Sequence, residues 1–470
     1  EYTKLDLKTK ICYAFGDMAC NCSWTLVGSY LTFYFTDMAL IPAGLVGTVI
    51  LISKLWDAIN DPMVGYWSDN TKHKLGRYRP WILYACIPML LFNIGCFYTN
   101  MNWSVTLRAI WGLGMYFVLV FLYTCVNVTY SALPTVMTRD AETRSSLSAW
   151  RMTVTFILGT ILGFSVLRII NALGGDAMAY TKTALLFSII AIPMFLICVA
   201  GTREIVEIPY EKHSVMSQFK LLKGNTPVWL LTVAFVAWGF MNGGATFKMY
   251  YFTYFVGDQI LFANVNTITP IFAAVGTFSL NWMVTKVKNK ATIPAWGFAI
   301  CALASFICFF LPMKNIGADG GTTAKMLYYV LGGAIPGFCT GIILGSLYGM
   351  VPDTAEWTMY KYNQYAGGFL STVVNFFFKL GQAFSIAAAA WVLEGIGYVP
   401  NAVQTDSVMW HLNFWPHIYC GACYAIAAIA MFAYKLDKAT YAKIAAGETA
   451  HAAAQAVNNA ALRRFQIHAH

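Results

Sequence analysis

The chain has 470 residues, 58% hydrophobic and 11% charged, with a mean hydropathy of +0.58. A soluble domain carries roughly 25% charged residues, so a water-soluble globular enzyme is excluded and an integral membrane protein is indicated. The formal charge of +10 does not point to nucleic acid, because Lys and Arg gather in short loops between apolar runs, which is the positive-inside pattern.

A helix needs about 20 apolar residues to cross a bilayer. Twelve such runs can be drawn, at 11–36, 43–67, 81–101, 106–136, 149–172, 179–200, 227–256, 264–285, 293–313, 325–351, 365–395 and 411–434. The first is a spanning candidate rather than a cleavable leader. Gly and Pro interrupt several, which membrane helices tolerate when neighbours satisfy the freed backbone groups. The most hydrophilic internal stretch, 202–225, divides the chain near its middle. The expected organisation is an all-α membrane protein with a six-helix bundle over 1–200, a linker over 201–226, a second bundle over 227–436 and a tail over 437–470. In such a pair of bundles the substrate site lies between the halves near the midplane.

Orientation follows from the loops. The loop after the second run carries Lys72, Lys74, Arg77 and Arg79, and the loop after the fourth carries Arg139 and Arg144. The linker carries Arg203, Lys212, Lys220 and Lys223, and the loop after the eighth carries Lys286, Lys288 and Lys290. Loops after the first, seventh and eleventh runs hold neither Lys nor Arg, which places both termini in the cytoplasm, with a bacterial inner membrane as the expected location. From Lys438 the composition predicts a short surface helix, and His468 and His470 form no metal site. The 12 cysteines lie mostly within apolar runs and show no framework or metal spacing, so they read as packing residues without disulfides.

The second run contains Lys54, Asp57, Asn60 and Asp61. A charge near a bilayer centre costs at least roughly 2.5–3.5 kcal/mol, so such residues face a polar interior. On a helix Lys54, Asp57 and Asp61 fall within roughly 60° of one another. Two carboxylates at i, i+4 repel unless a cation or proton sits between them. Two Asp oxygens with Asn60 and a hydroxyl suit a hard monovalent cation such as Na⁺, and the same pair could carry one exchangeable proton. A structural ion pair from Lys54 to one Asp leaves the other carboxylate unexplained. Elsewhere Asn21 and Trp24 share a face with Asp17 nearby, and Thr124, Asn127 and Ser131 form a stripe at i, i+3, i+7. Arg151, Lys379 and Lys248 are intramembrane cations and functional candidates by default. Trp24, Tyr123 and Tyr130 are candidates to stack on the apolar face of a sugar.

Trp56-Asp-Ala-Ile-Asn-Asp-Pro62 resembles the second-helix signature of the glycoside–pentoside–hexuronide:cation symporters, the family of the melibiose permease. Tyr13-Ala-Phe-Gly-Asp17, Phe35-Thr-Asp37, Lys74-Leu-Gly-Arg-Tyr-Arg-Pro-Trp81, Val351-Pro-Asp-Thr-Ala-Glu-Trp357 and Gly395-Ile-Gly-Tyr-Val-Pro400 resemble further family motifs in the same order. The resemblance covers about residues 8 to 435. It implies the major-facilitator fold, twelve helices in two six-helix bundles, and alternating access. It places a cation site for Na⁺ (or Li⁺, or a proton) on Asp57, Asn60, Asp61 and Thr124, with Na⁺ on Asp57 and Asp61. It places sugar contacts on Asn21, Lys54, Asn127, Arg151 and Lys379, to which Trp24, Tyr123 and Ser131 are added.

The chain departs from the melibiose pattern, which has carboxylates at the positions of Asn21 and Asn127 and a tryptophan at that of Ser131. With those carboxylates gone, Arg151 and Lys379 are expected to lack partners, so an acidic sugar such as a hexuronide or sulfonated hexose is favoured over a neutral glycoside or pentoside. Cytoplasmic Arg77, Arg79, Arg139, Arg144, Asp353 and Glu356 are expected to form ion pairs between the halves that hold an outward-open state. No phosphate loop, catalytic serine motif or His/Cys cluster points to a pump or an enzyme, and no cofactor is expected. The partners expected are a sugar, a monovalent cation and lipid, with the chain a monomer. A non-transporting sugar sensor on the same scaffold is the rival class.

Overall fold

Short polar caps start the helices and apolar runs carry them across. Asp6, Ser104, Asp176 and Asp258 each accept a hydrogen bond from a backbone N–H three residues on, at 2.8–3.3 Å, which satisfies first-turn donors that have no partner within the helix. The computed structural model describes residues 5–138, 141–205, 222–362 and 367–436. Arg139, the Arg144 side chain, Lys212, Lys220, the tail from Lys438, His468 and His470 lie outside the described residues.

The first half comprises α1 (Leu7–Phe33), α2 (Ala43–Asp69), α3 (Arg79–Cys96), α4 (Val105–Met137), α5 (Ala141–Ala172) and α6 (Ala177–Gly201). The second comprises α7 (Thr226–Tyr250), α8 (Gln259–Lys286), α9 (Thr292–Phe309), α10 (Thr322–Tyr328) continuing into α11 (Ile335–Tyr362), α12 (Gly367–Gly395), and α13 (Asp406–Phe414) continuing into α14 (Cys420–Phe432). Wider π turns extend α1 and α7 and join α10 to α11 and α13 to α14. Within the first half, α1 packs on α5 and α6, α3 on α4 and α6, and α2 on α4. Within the second, α7 packs on α12 and α14, α8 on α11, and α9 on α11 and α14. Two seams join the halves, α2 on α12 and α5 on α8.

Eleven helical runs among the described residues are long and apolar enough to cross a membrane. The twelfth, α1, has the length but carries Asp17, Asn21, Ser23 and Thr25, the composition of a wall rather than a lipid-facing rod. The third and ninth helices stop at Cys96 and Phe309, short of the predicted 101 and 313. After Cys96 the chain turns through Tyr98 and Trp103, which pack edge-on against Trp111 at 6.4 and 5.3 Å. The turn mixes Phe97, Tyr98, Met101 and Trp103 with Thr99, Asn100 and Asn102, so its aromatic residues extend the apolar run past the helix end.

The halves close on each other at the end of the molecule that carries Asp37. Tyr254 and Tyr398 from the second half both donate to the buried Asp37 carboxylate. Asn401 Nδ2 donates to the Asp37 carbonyl at 2.8 Å, and Thr36 Oγ1 meets Tyr250 Oη at 2.7 Å. Burial and the nearby Asp37 charge push the Tyr398 hydroxyl far above its ordinary range, so it stays a donor. Along the α2–α12 seam Trp391 Nε1 donates to the Gly44 carbonyl at 3.1 Å, and Glu394 accepts from the Gly44 N–H. A Cβ on Gly47 would stand 2.7 Å from Trp391, so glycine is what lets these helices meet.

At the opposite, basic end Arg79 and Asp353 are tied within their own halves. Glu204 accepts from the N–H groups of Arg77, Tyr78 and Arg79 at 2.6–2.9 Å, and Arg79 Nε donates to the Val199 carbonyl at 3.0 Å. Asp353 pairs with Lys290 at 3.2 Å. For Arg79 and Asp353 this corrects the expected inter-half ion pairs. The physical reason is that closure lies at the Asp37 end.

Candidate functional site

Midway along α2, Asp57 and Asp61 point toward α4 and α12. Thr124 Oγ1 lies 3.1 Å from Asp57 Oδ1 and 3.3 Å from Asp61 Oδ1, so one hydroxyl draws both carboxylates together. Lys379, crossing from α12, pairs with Asp57 at 3.3 Å and with Asp61 more closely still. Its ammonium stands between one oxygen of Asp57 and one of Asp61, where it would compete with a bound cation. Asn60 is fully buried, and neither its amide oxygen nor its nitrogen meets a hydrogen-bond partner. A buried amide without a partner costs roughly 1–3 kcal/mol, so it is a group with coordination to offer. Two carboxylates and the hydroxyl between them form a hard-oxygen set, suited to Na⁺ rather than to a soft metal.

Lys379, expected on the sugar, is thus on the carboxylate pair. Lys54, also expected on the sugar, lies 4.9 Å over the Trp24 ring and makes no ion pair within 4 Å among the described residues. The sequence pattern gave the face of α2 but not the reach of a lysine from another helix.

A second cluster joins α1 to α5. Arg151 Nε pairs with Asp17 Oδ1 at 2.9 Å, Thr155 donates to the other Asp17 oxygen, and Asn21 Nδ2 reaches that oxygen at 3.1 Å. The guanidinium also sits 5.1 Å over the Tyr130 ring, which stacks on Tyr13 at 4.7 Å and donates to the Tyr13 carbonyl at 2.9 Å. Gly16 leaves room for that stack, since a Cβ there would lie 2.5 Å from Tyr130. The expectation that Arg151 and Lys379 lack partners is therefore wrong. Asp17 and the Asp57–Asp61 pair supply them across helix boundaries. Tyr130 is packed away from any sugar.

Beside both clusters lies a cavity of about 330 Å³ whose walls include Trp24 and Lys54 from the first half and Asn242, Thr246, Lys248 and Gln382 from the second. That volume is at the small end of the range for small-molecule sites. Tyr123 stacks on Trp24 with centroids 4.2 Å apart, so one face of the indole is already covered. Gln382 Nε2 lies 3.4 Å from Asn242 Oδ1, a polar pair spanning α12 and α7. Lys248 makes no ion pair among the described residues. Asn127 is half-buried and Ser131 exposed on α4, and neither forms this wall. Asn242, Thr246 and Gln382 were missed because charge was weighed above neutral polarity. Their signal was present in the i, i+4 spacing of Asn242 and Thr246 and in Gln382 lying one turn beyond Lys379.

Comparison with known proteins agrees with this architecture. The family model for MFS/sugar transport proteins matches residues 12–438. The inner membrane symporter YicJ of Escherichia coli (strain K12) is 30% identical over 437 residues, covering 90% of this chain and 91% of that protein. The isoprimeverose transporter of Lactiplantibacillus pentosus is 27% identical, covering 94% of this chain and 91% of its own length. Among solved structures, a D-xylose-proton symporter superposes with a TM-score of 0.63 at 12% identity over 91% of this chain and 97% of that one, a likeness of fold alone.

Proposed function

This chain belongs to the glycoside–pentoside–hexuronide:cation symporters of the major facilitator superfamily, and we propose that it carries an acidic sugar, such as a hexuronide or sulfonated hexose, together with Na⁺ by alternating access. Its relatives are transporters and sugar symporters, and the fold is that of a carrier. The coupling ion and the acidic substrate are this proposal's own.

The observation that carries the acidic reading is the pair Lys54 and Lys248, which wall the cavity from opposite halves without a carboxylate partner among the described residues. In the whole site four cations, Lys54, Arg151, Lys248 and Lys379, face three carboxylates, Asp17, Asp57 and Asp61. A carboxylate or sulfonate on the sugar balances the excess. Hydroxyls find Asn242, Thr246 and Gln382, and Trp24, stacked on Tyr123, holds the Lys54 ammonium over its ring at the cavity wall.

The cation acts through Lys379. Na⁺ entering between Asp57 and Asp61, with Thr124 and the Asn60 amide oxygen completing its shell, displaces the ammonium that holds the pair. Freed, Lys379 lies one turn from Gln382 and adds a charge to the cavity wall that can only help an anionic sugar. A proton on the pair would neutralise only one carboxylate and leave the hard-oxygen set unused, so Na⁺ is preferred. With the basic loops in the cytoplasm, the Asp37 end faces outward and the structure is closed on that side.

Counterflow in vesicles tests the substrate. A glucuronide should be exchanged at least tenfold faster than the matching glucoside, and more so with Na⁺ at fixed pH. Equal or better exchange of the glucoside defeats the acidic reading. Replacing Asp57 or Asp61 by Asn should abolish uphill accumulation while leaving folded protein in the membrane, and uphill transport surviving both changes removes the cation site from this place. A neutral glycoside is the second reading, favoured by the isoprimeverose transporter among the relatives and by the uncharged Asn242–Gln382 pair. Any Na⁺-driven accumulation separates a carrier of either kind from a sugar sensor.

A further inference from the structure

We propose that the groove between α3 and α4 at the basic end holds one anionic phospholipid, its acyl chain against the helices and its headgroup on the α2–α3 loop. The groove has a volume of about 460 Å³ and an almost wholly apolar floor of Trp81, Pro88, Phe121, Leu122 and Cys125. Most of a helix's lipid-facing surface is convex, because side chains of similar size follow one another around it. Here Pro80, Ala85 and Pro88 contribute little bulk beside Trp81 and Tyr84, and a concave track results.

The mouth of the track is polar and ordered. Trp81 Nε1 donates to Thr71 Oγ1 at 2.8 Å, which pins the loop to the start of α3. His73 packs edge-on against the exposed Tyr84 at 5.9 Å and accepts from the Leu75 N–H through Nδ1 at 3.1 Å, leaving Nε2 free of that contact. Lys72 and Lys74, the sequence neighbours of His73, are exposed and make no ion pair among the described residues. Aromatic rings belong at the headgroup level of a bilayer, and basic clusters beside a spanning helix attract anionic headgroups. The apolar floor and the basic rim match the two ends of one molecule, an acyl chain and a phosphate. This charge complementarity selects an anionic lipid over a zwitterionic one or an apolar peptide.

The site also has a route to function. Phe121 in the floor lies 6.4 Å from the Trp56 ring, next to Asp57, and the groove backs onto the helix that carries Thr124.

Native mass spectrometry of the protein extracted from vesicles of equal phosphatidylglycerol and phosphatidylcholine tests the proposal. The first lipid retained should be phosphatidylglycerol in about thirtyfold excess, the scale expected when two lysines near the surface act together. Lys72→Gln with Lys74→Gln should bring the ratio to near one. Ala85→Trp, which fills the track, should remove the retained lipid of either kind. The paired control Lys286→Gln with Lys288→Gln, basic residues of the other half, should leave the ratio unchanged. The variants Lys72→Gln and Lys74→Gln alter exposed side chains only, so their folding is checked simply by thermal stability. A ratio near one in the unaltered protein overturns the proposal. So does a ratio that survives the first pair, or one that falls equally in the control pair and so reports only general surface charge.

Discussion

An ammonium held by two carboxylates, as Lys379 is by Asp57 and Asp61, competes with any free cation for the same oxygens. Removing it takes away the competitor but also the counter-charge. Lys379→Gln should therefore bind Na⁺ about tenfold more tightly in the absence of sugar, a gain of about 1.4 kcal/mol, while losing uphill transport of an acidic substrate. Isothermal titration with Na⁺ in detergent checks the first part, and weaker Na⁺ binding would show Lys379 to be a support for the site rather than its rival. The Asp17–Arg151 pair carries a different kind of prediction. Its carboxylate is 7% exposed, so Asp17→Asn leaves Arg151 in the interior with one neutral amide and a ring for company. Stranding one member of a buried pair costs roughly 3–5 kcal/mol. Thermal unfolding should show that loss, and Asp17→Asn with Arg151→Gln should recover much of it. If the double variant is no more stable than the single one, the two charges do not depend on each other.

Helices act here through where they are allowed to touch. The α2–α12 seam is tight because Gly44 and Gly47 present backbone to Glu394 and Trp391, and the α5–α8 seam because Gly163 lies against the backbone of Asn266. Between these seams the Asp37 carboxylate gathers Tyr254 and Tyr398, and Asn401 takes the Asp37 carbonyl. A side chain at Gly47 has nowhere to go, with Trp391 on one side and the Ala387 carbonyl 2.8 Å away on the other. Gly47→Leu should wedge the Asp37 end apart and raise the population of molecules open there. Spin labels at the exposed Leu40 and Val403 would report it as a longer-distance component, strengthened by adding Asp37→Asn, which weakens the tyrosine contacts. An unchanged distance distribution in the double variant would mean that this end does not open by separation of α2 from α12.

At the scale of the whole molecule, what was legible in the sequence follows from range. The period and length of the apolar runs are local, so the membrane-crossing runs among the described residues and the polar face of α2 could be read directly, and the Lys and Arg pattern divided the loops. Asp57, Asp61 and Thr124 come together as their motif implied. The partners of Arg151 and Lys379 could not be read, because each lies 134 or more residues away across a helix boundary and no local spacing encodes it. The cavity wall from the second half was hidden for the same reason: Asn242 and Gln382 mean little apart and become a site only when α7 meets α12. That division between halves also fixes the last prediction. Asp57, Asp61 and Thr124 belong to the first half, whereas Lys379, Lys248 and Gln382 belong to the second. In the proposed cycle the ion and the sugar therefore communicate through a lysine that bridges the halves. Coupling of this kind is reciprocal by thermodynamic necessity. If Na⁺ tightens sugar binding by a given factor, the sugar must tighten Na⁺ binding by the same factor, and both factors should fall to near one in Lys379→Gln even though each ligand still binds alone. Titrating each ligand in the presence and absence of the other, in the unaltered protein and in this variant, gives four affinities per protein. Coupling that persists undiminished in Lys379→Gln would move the link between the sites away from this side chain, to the packing of α2 against α12.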